Sequence, residues 1–319
     1  MSNLDSDTLR LPGRSVTGVM AAVMLALLPG TLIQTWAFGA GVPIAIAFTV
    51  GSAMFLEFLA VALRGRSARP ALCDGSIALA AWLLALAVPP SLPLAQLLVG
   101  VAAMVLLGKH LYGGLGCNPF NPAMLGYAVL LVSYPVTMTD WSPTAEALST
   151  LPWDAVTRAT PLDHLRSLDR LPTMDAPPLA AGTVILASPW PWINGGFLLG
   201  GLWLLFRQII GWHIPVSLLL TLALLHAVSG WLGDTLQPPV QLELLSGAAM
   251  LGAFFIATDP VTAPSARRAR LLYGTGIGAL TFVLREFSAY PEGIAFAVLL
   301  MNMTVPLIDR LSVARGVER

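Results

Sequence analysis

The stretches "PAMLGYAVLL" (residues 122–131) and "PEGIAFAVLL" (residues 291–300) lie 169 positions apart and share the proline, an aromatic at Tyr127/Phe296 and the run AVLL. At an offset of 170, "LAVPPSLP" (86–93) meets "IATDPVTAP" (256–264), pairing Ala87 with Ala257 and Pro90 with Pro260. Two matches at nearly one offset point to duplication of a five-segment unit, with chance likeness between apolar helices as the alternative. Because five is odd, the second copy must cross the membrane in the opposite sense. Inverted repeats of this kind place their sites near the midplane, where broken helices present their ends.

The composition demands a membrane. Of 319 residues, 56% are hydrophobic and 11% charged, with a mean hydropathy of +0.77, whereas soluble domains carry roughly 25% charge. Lipid offers the backbone no hydrogen-bond partner, so each crossing must be a helix of about 20 apolar residues. Ten apolar segments stand out, at 16–37, 40–63, 76–88, 93–107, 122–138, 193–206, 213–231, 244–257, 271–284 and 293–311. The sequence therefore predicts an all-α integral membrane protein, with about ten transmembrane helices in two inverted five-helix repeats. The segments starting at 76, 93, 193, 244 and 271 are short for a full crossing and read as discontinuous or re-entrant helices. The organisation that follows is a tail at 1–15, a first repeat at 16–138, a loop at 139–192, a second repeat at 193–311 and a tail at 312–319.

Seventeen basic residues balance seventeen acidic ones, and no basic patch points to nucleic acid. With the N-terminus cytoplasmic, thirteen of the basic residues fall inside, against Arg158, Arg166, Arg170 and Arg285 outside. That asymmetry predicts both termini in the cytoplasm and the 139–192 loop outside, with no cleaved signal peptide. Cys73 and Cys117 belong to no metal-binding spacing and read as small buried residues on the cytoplasmic side.

Two proline- and glycine-rich breaks interrupt the apolar pattern, "GGLGCNPFNPAM" (113–124) and "TDPVTAPSA" (258–266). Asn/Asp-Pro steps start turns that free backbone groups, although tight interhelical turns would carry the same signature. Glu57 lies well inside an apolar segment, about two turns before Arg64. An intramembrane acid is costly and reads either as part of an ion or proton path or as one partner of a buried ion pair. Asp259 reads as a cap or a cation ligand. His213 and His226 are too far apart to form a metal-binding pair and read as core or helix-end residues. Trp141, Trp153, Trp190 and Trp192 read as an interfacial belt.

The loop contains "DAVTRATPL" (154–162). By its residues alone this is a helix start, with Thr160 as N-cap, Pro161 at the first helical position and Asp163 two further on. Taken with "GKHLYGGLGCNPFNPAMLGYAVLLVSYP", "FFIATDPVTAP" and "YPEGIAFAVLLMNMTVPLIDR", it resembles the D-subunit family of Rnf electron-transport complexes. That family is related to the B subunit of the sodium-translocating NADH:quinone reductase. The resemblance implies a urea-transporter-like fold in the bacterial inner membrane, and a flavoprotein subunit that is inactive alone. Its complex moves electrons between ferredoxin or flavodoxin and NAD, both bound by partner subunits, while translocating Na+ or H+. It also implies FMN joined by a phosphoester to Thr160 and installed by a flavin transferase, with Asp154, Thr157 and Ala159 completing the motif. Arg158 stands where the strictest form of that motif has glycine. Relatives further suggest a second, non-covalent flavin, FMN or riboflavin, near Lys109, His110, Gly113, Gly114, Asn118 and Asn121, with Glu57 and Asp259 as candidates for an ion path. An inverted-repeat channel for a small neutral solute is the competing function.

Overall fold

The computed structural model describes residues 15–114, 116–141, 188–232, 240–288 and 292–317, and these are helical, with no strand among them. Helix α1 (Val16–Phe38) begins at Ser15, whose hydroxyl accepts from Gly18 N, and ends at Gly39, whose φ of 76° lets its N–H reach Thr35 O. One residue later α2 (Gly41–Leu63) runs back beside it. A short α3 (Ala68–Cys73), which the sequence did not foreshadow, leads to α4 (Ser76–Ala87) and α5 (Leu94–Ala102). The latter continues as a π-helical stretch, Ala103–His110. Then come α6 (Pro122–Ser133), capped by the Asn121 side chain, and α7 (Pro135–Met138).

The second half comprises α8 (Trp190–Phe206), α9 (His213–Leu232), α10 (Val240–Leu245), α11 (Ala249–Leu251), a π-helical turn at Gly252–Ile256, α12 (Arg267–Phe287) and α13 (Ile294–Val317). Four helices are long and apolar enough to cross a membrane: Val16–Phe38, Gly41–Leu63, His213–Leu232 and Ile294–Leu311. The helices Ser76–Ala87, Leu94–His110 and Pro122–Ser133 are apolar but shorter. An all-helical protein of transmembrane character is thus borne out. Several of the expected segments change shape, among them the one drawn at 122–138, which is broken at Tyr134. The one drawn at 244–257 is broken at Ser246–Ala248, and the one drawn at 271–284 extends over 21 residues.

Helices in lipid associate by close packing rather than by the hydrophobic effect, so their contacts favour small residues. Helix α1 packs along α8, and α9 along α12. At the first crossing Gly196 faces the Gly30 backbone and Gly200 faces Ala26 O; at the second Gly274 and Gly278 face the carbonyls of Ile214 and Leu218. Hydroxyls within the helices bond back to the preceding turn, as Thr31 does to Leu27 O (2.9 Å) and Thr49 to Ala45 O (2.9 Å). Between elements, Gln34 Nε2 donates to Leu86 O at the end of α4 (3.1 Å) and Trp82 Nε1 donates to Thr31 Oγ1 (3.2 Å).

A side chain at Gly200 or Gly278 would have to displace backbone. Gly200→Leu and Gly278→Leu are each expected to lower stability by at least about 1–3 kcal/mol, the range for overpacking a tight site. Gly51→Leu, at a position open on the surface of α2, should leave it unchanged. Thermal unfolding of the purified chain, followed by size-exclusion chromatography, distinguishes the three.

Candidate functional site

The end of α5 gathers four ionisable groups, Glu57, Lys109, His110 and Arg64. Glu57, 1% exposed on α2, meets Lys109 Nζ through Oε1 (2.8 Å) and His110 Nε2 through Oε2 (2.8 Å). Lys109 also donates to Ser76 Oγ at the start of α4 (3.0 Å), and Ser76 donates to Asp74 Oδ1 (2.7 Å). Arg64 does not reach Glu57, although it lies on the same helix. It donates instead to His110 O (2.6 Å), with its other amino group 3.5 Å from His110 Nδ1. The reading of Glu57 as one partner of a buried ion pair is borne out.

The π-helical stretch supplies this geometry, since one residue more per turn re-aims the side chains that follow, and such distortions recur at functional sites. Directly after it, Gly113 and Gly114 adopt φ of 117° and 112°, a region that side chains disfavour. The chain turns back there, with Gly114 N donating to Lys109 O (3.1 Å).

Beside the cluster lies a cavity of about 790 Å³. Its polar lining includes Lys109, Asn118, Asn121, Gln208, Asp259 and Arg270. Asn118 Nδ2 donates to Phe120 O (3.1 Å), but its buried Oδ1 has no partner among the described residues. Asn121 caps α6 by accepting from Met124 N (3.2 Å) and donates from Nδ2 to Ile256 O (3.3 Å), a carbonyl at the end of the second π turn. Its backbone N–H donates to Asn302 Oδ1 (2.9 Å), and the Asn302 amide nitrogen in turn donates to the Tyr273 hydroxyl and to Val298 O (3.2 Å). Asp259 accepts from Val261 N (3.2 Å) and Thr262 Oγ1 (3.1 Å), so it caps the turn after the π segment. The start of α12 has no side-chain cap. Burial pushes the Asp259 carboxyl above the usual carboxylate range, and those two hydrogen bonds oppose the shift.

A second cluster sits at the far end of α12. Arg285 lies fifteen residues beyond Arg270, roughly 22 Å along the helix at 1.5 Å per residue. Its guanidinium meets Glu243 Oε1 (2.9 Å), Glu243 O (2.9 Å) and both oxygens of Glu292 (3.0 Å). Glu292 also accepts from Ala248 N (2.8 Å) across the α10–α11 break. Asn194 holds the other side of that break. Its Nδ2 lies 3.0 Å from Leu245 O and Gly247 O, and its Oδ1 accepts from Met250 N (3.2 Å). Gly247 (φ 57°) leaves no room for a Cβ beside Glu292. A cavity of about 50 Å³ adjoins this end, lined by Gln34, Tyr127, Trp141, Trp190 and Glu292 among others.

Lys109, Asn118, Asn121 and Asp259 thus share one cavity, with Glu57 behind its wall and Gly113 and Gly114 in the adjoining turn. Thr160, Asp154, Thr157 and Ala159 lie outside the described residues, as does Trp153. Two expectations are corrected. Cys73 and Cys117 are both exposed, because one ends the short outer helix α3 and the other follows the glycine turn. Trp190 is buried and stacks edge-on with Trp141 (5.0 Å) and Phe38 (5.9 Å), so among the described residues of the belt only Trp192 is strongly exposed. His213 stacks on Trp212 (4.2 Å) at the start of α9 and His226 is buried within it, as expected. Sequence reasoning missed Asn194, Glu243 and Glu292 as site residues. An amide within an apolar 17-residue helix was the available signal for Asn194.

Fold and site define a helical membrane protein whose buried charges are gathered at opposite ends of one bundle. The chain belongs to the NQR2, RnfD, RnfE family, whose model matches residues 6–318. It is 43% identical to a Salmonella arizonae protein named as the D subunit of an ion-translocating oxidoreductase complex, over 93% of this chain and 92% of the relative. An Escherichia coli O81 protein of the same name is 43% identical over the same shares.

Removing one partner of a buried ion pair strands the other. Arg285→Met is therefore expected to cost about 3–5 kcal/mol, and adding Glu243→Gln and Glu292→Gln should recover part of the loss. Thermal unfolding of the single and triple variants checks both.

Proposed function

We propose that this chain is the flavin-carrying membrane subunit of a complex that couples electron transfer between ferredoxin or flavodoxin and NAD to translocation of Na+ or H+. The observation that carries the reading is the 43% identity, over nearly the whole chain, to relatives named as the D subunit of an ion-translocating oxidoreductase complex. Thr160 is the proposed attachment residue for FMN, with Asp154, Thr157 and Ala159 as the motif that a flavin transferase reads. Ferredoxin and NAD are then bound by partner subunits.

The inverted-repeat reading is supported by packing. Helix α1 lies on α8 and α6 on α13, while α2 packs on α4 and α5 much as α9 packs on α10 and α12. A cytoplasmic Lys109 end is supported by charge, since Arg64 and Arg270 join Lys109 there, with Arg207 at the end of α8. The large cavity suits a second, non-covalent flavin in size and chemistry. Asn118 Oδ1 is a buried acceptor awaiting an N–H, Lys109 and Arg270 are cations, and the remaining lining is mostly apolar. A bound flavin supplies single-electron transfer. The chain's own residues would hold it, exclude water from it and carry the countercharge.

Peptide mass spectrometry and in-gel flavin fluorescence on the chain co-expressed with a flavin transferase test the attachment. An FMN adduct on the peptide containing Thr160, absent from Thr160→Ala, is expected. A wild-type chain without covalent flavin contradicts the attachment and returns the solute-channel reading to first place.

A further inference from the structure

The large cavity and the buried carboxylate of Glu57 share one cation. Lys109 Nζ lies 2.8 Å from Glu57 Oε1 and 3.0 Å from Ser76 Oγ, and both Lys109 and Ser76 line the cavity. Glu57 does not line it, so Lys109 is the charged group that touches both. On its other side Glu57 Oε2 meets His110 Nε2 at 2.8 Å. The groups facing this carboxylate are Lys109 and His110 from α5, with Ser76 and Asp74 of the α4 entry behind Lys109 and Arg64 of α2 behind His110. Arginine does not deprotonate in proteins. An Nδ1 that accepts from Arg64 leaves the ring proton on Nε2, aimed at Glu57.

We propose that Lys109 is a positioning residue that couples negative charge arriving in the cavity to protonation of Glu57. The inference rests on reading that cavity as a flavin site. One electron from a low-potential iron–sulfur donor adds one negative charge to the cavity, and the Lys109 ammonium turns from Glu57 toward it. A carboxylate left without its countercharge in a buried site is strongly disfavoured. One proton enters from water at this end as Arg64 withdraws. It binds His110 Nδ1 while the Nε2 proton passes to Glu57 Oε2, which leaves His110 neutral and Glu57 a carboxylic acid. One electron and one proton have arrived, so the buried charge is unchanged. When the electron leaves, Lys109 returns to Glu57 and the proton is released.

Reduced-minus-oxidised infrared spectra of the intact complex in proteoliposomes, with dithionite as reductant and flavin absorbance recorded on the same sample, test this. In the wild type, bleaching of the flavin should be accompanied by a carboxylic-acid C=O band that shifts in D2O. Glu57→Gln should bleach without that band. Lys109→Gln should lose it from the difference spectrum, because Glu57 is then protonated in both oxidation states, and Lys109→Arg should keep it. Should Glu57→Gln fail to assemble, the two Lys109 variants decide the matter. The same band in wild type and Glu57→Gln, or a redox-dependent band surviving in Lys109→Gln, overturns the coupling while leaving the flavin reading intact. Bleaching in the wild-type complex that does not exceed that of covalently bound FMN overturns both.

Discussion

A charge buried among apolar helices persists only when another group answers it, and each end of this bundle depends on one such answer. Glu57 is held between Lys109 and His110, while Arg285 is held between Glu243 and Glu292. Both arrangements tie the last turn of a long helix to neighbouring elements, α2 and α4 in one case and α10 and the start of α13 in the other. Such pairs add little net stability over apolar packing of the same volume. Their effect is to fix where elements meet, and that placement builds the cavities beside them.

Backbone groups obey the same constraint. Where α10 stops and α11 starts, the carbonyls of Leu245 and Gly247 are met by Asn194, and Ala248 N by Glu292. Where the second π turn ends, Ile256 O is met by Asn121. Irregular backbone within a membrane protein is tolerated where protein groups satisfy it. Asn121 and Ile256 also stand between the two cavities, since Asn121 lines the larger and Ile256 the smaller.

The helices were largely legible from the sequence, because a segment that must bury its own backbone in lipid announces itself as an apolar run. The segment drawn from residue 76 starts where α4 starts, and those drawn from 122 and 213 start with α6 and α9. What escaped is set by contacts distant in sequence. The break at Ser246–Ala248 is made by Asn194 and Glu292, 44 or more residues away from the groups they bind. Likewise, Glu57 and Arg64 are near neighbours on one helix, yet Lys109 and His110, more than 50 residues on, take the carboxylate. The residues of the large cavity were named from the glycine-rich break and its family resemblance. Local chemistry alone did not say that Asp259 would join them there.

What the cavity beside Lys109 holds decides the rest, and a density map of the assembled complex tests that most directly. The predicted result is a three-ring flavin density in the cavity, with a donor to Asn118 Oδ1 and a polar edge within reach of Lys109. A cavity filled by lipid chains, or closed by a partner protein with no flavin in it, would contradict the flavin reading and the coupling built on it.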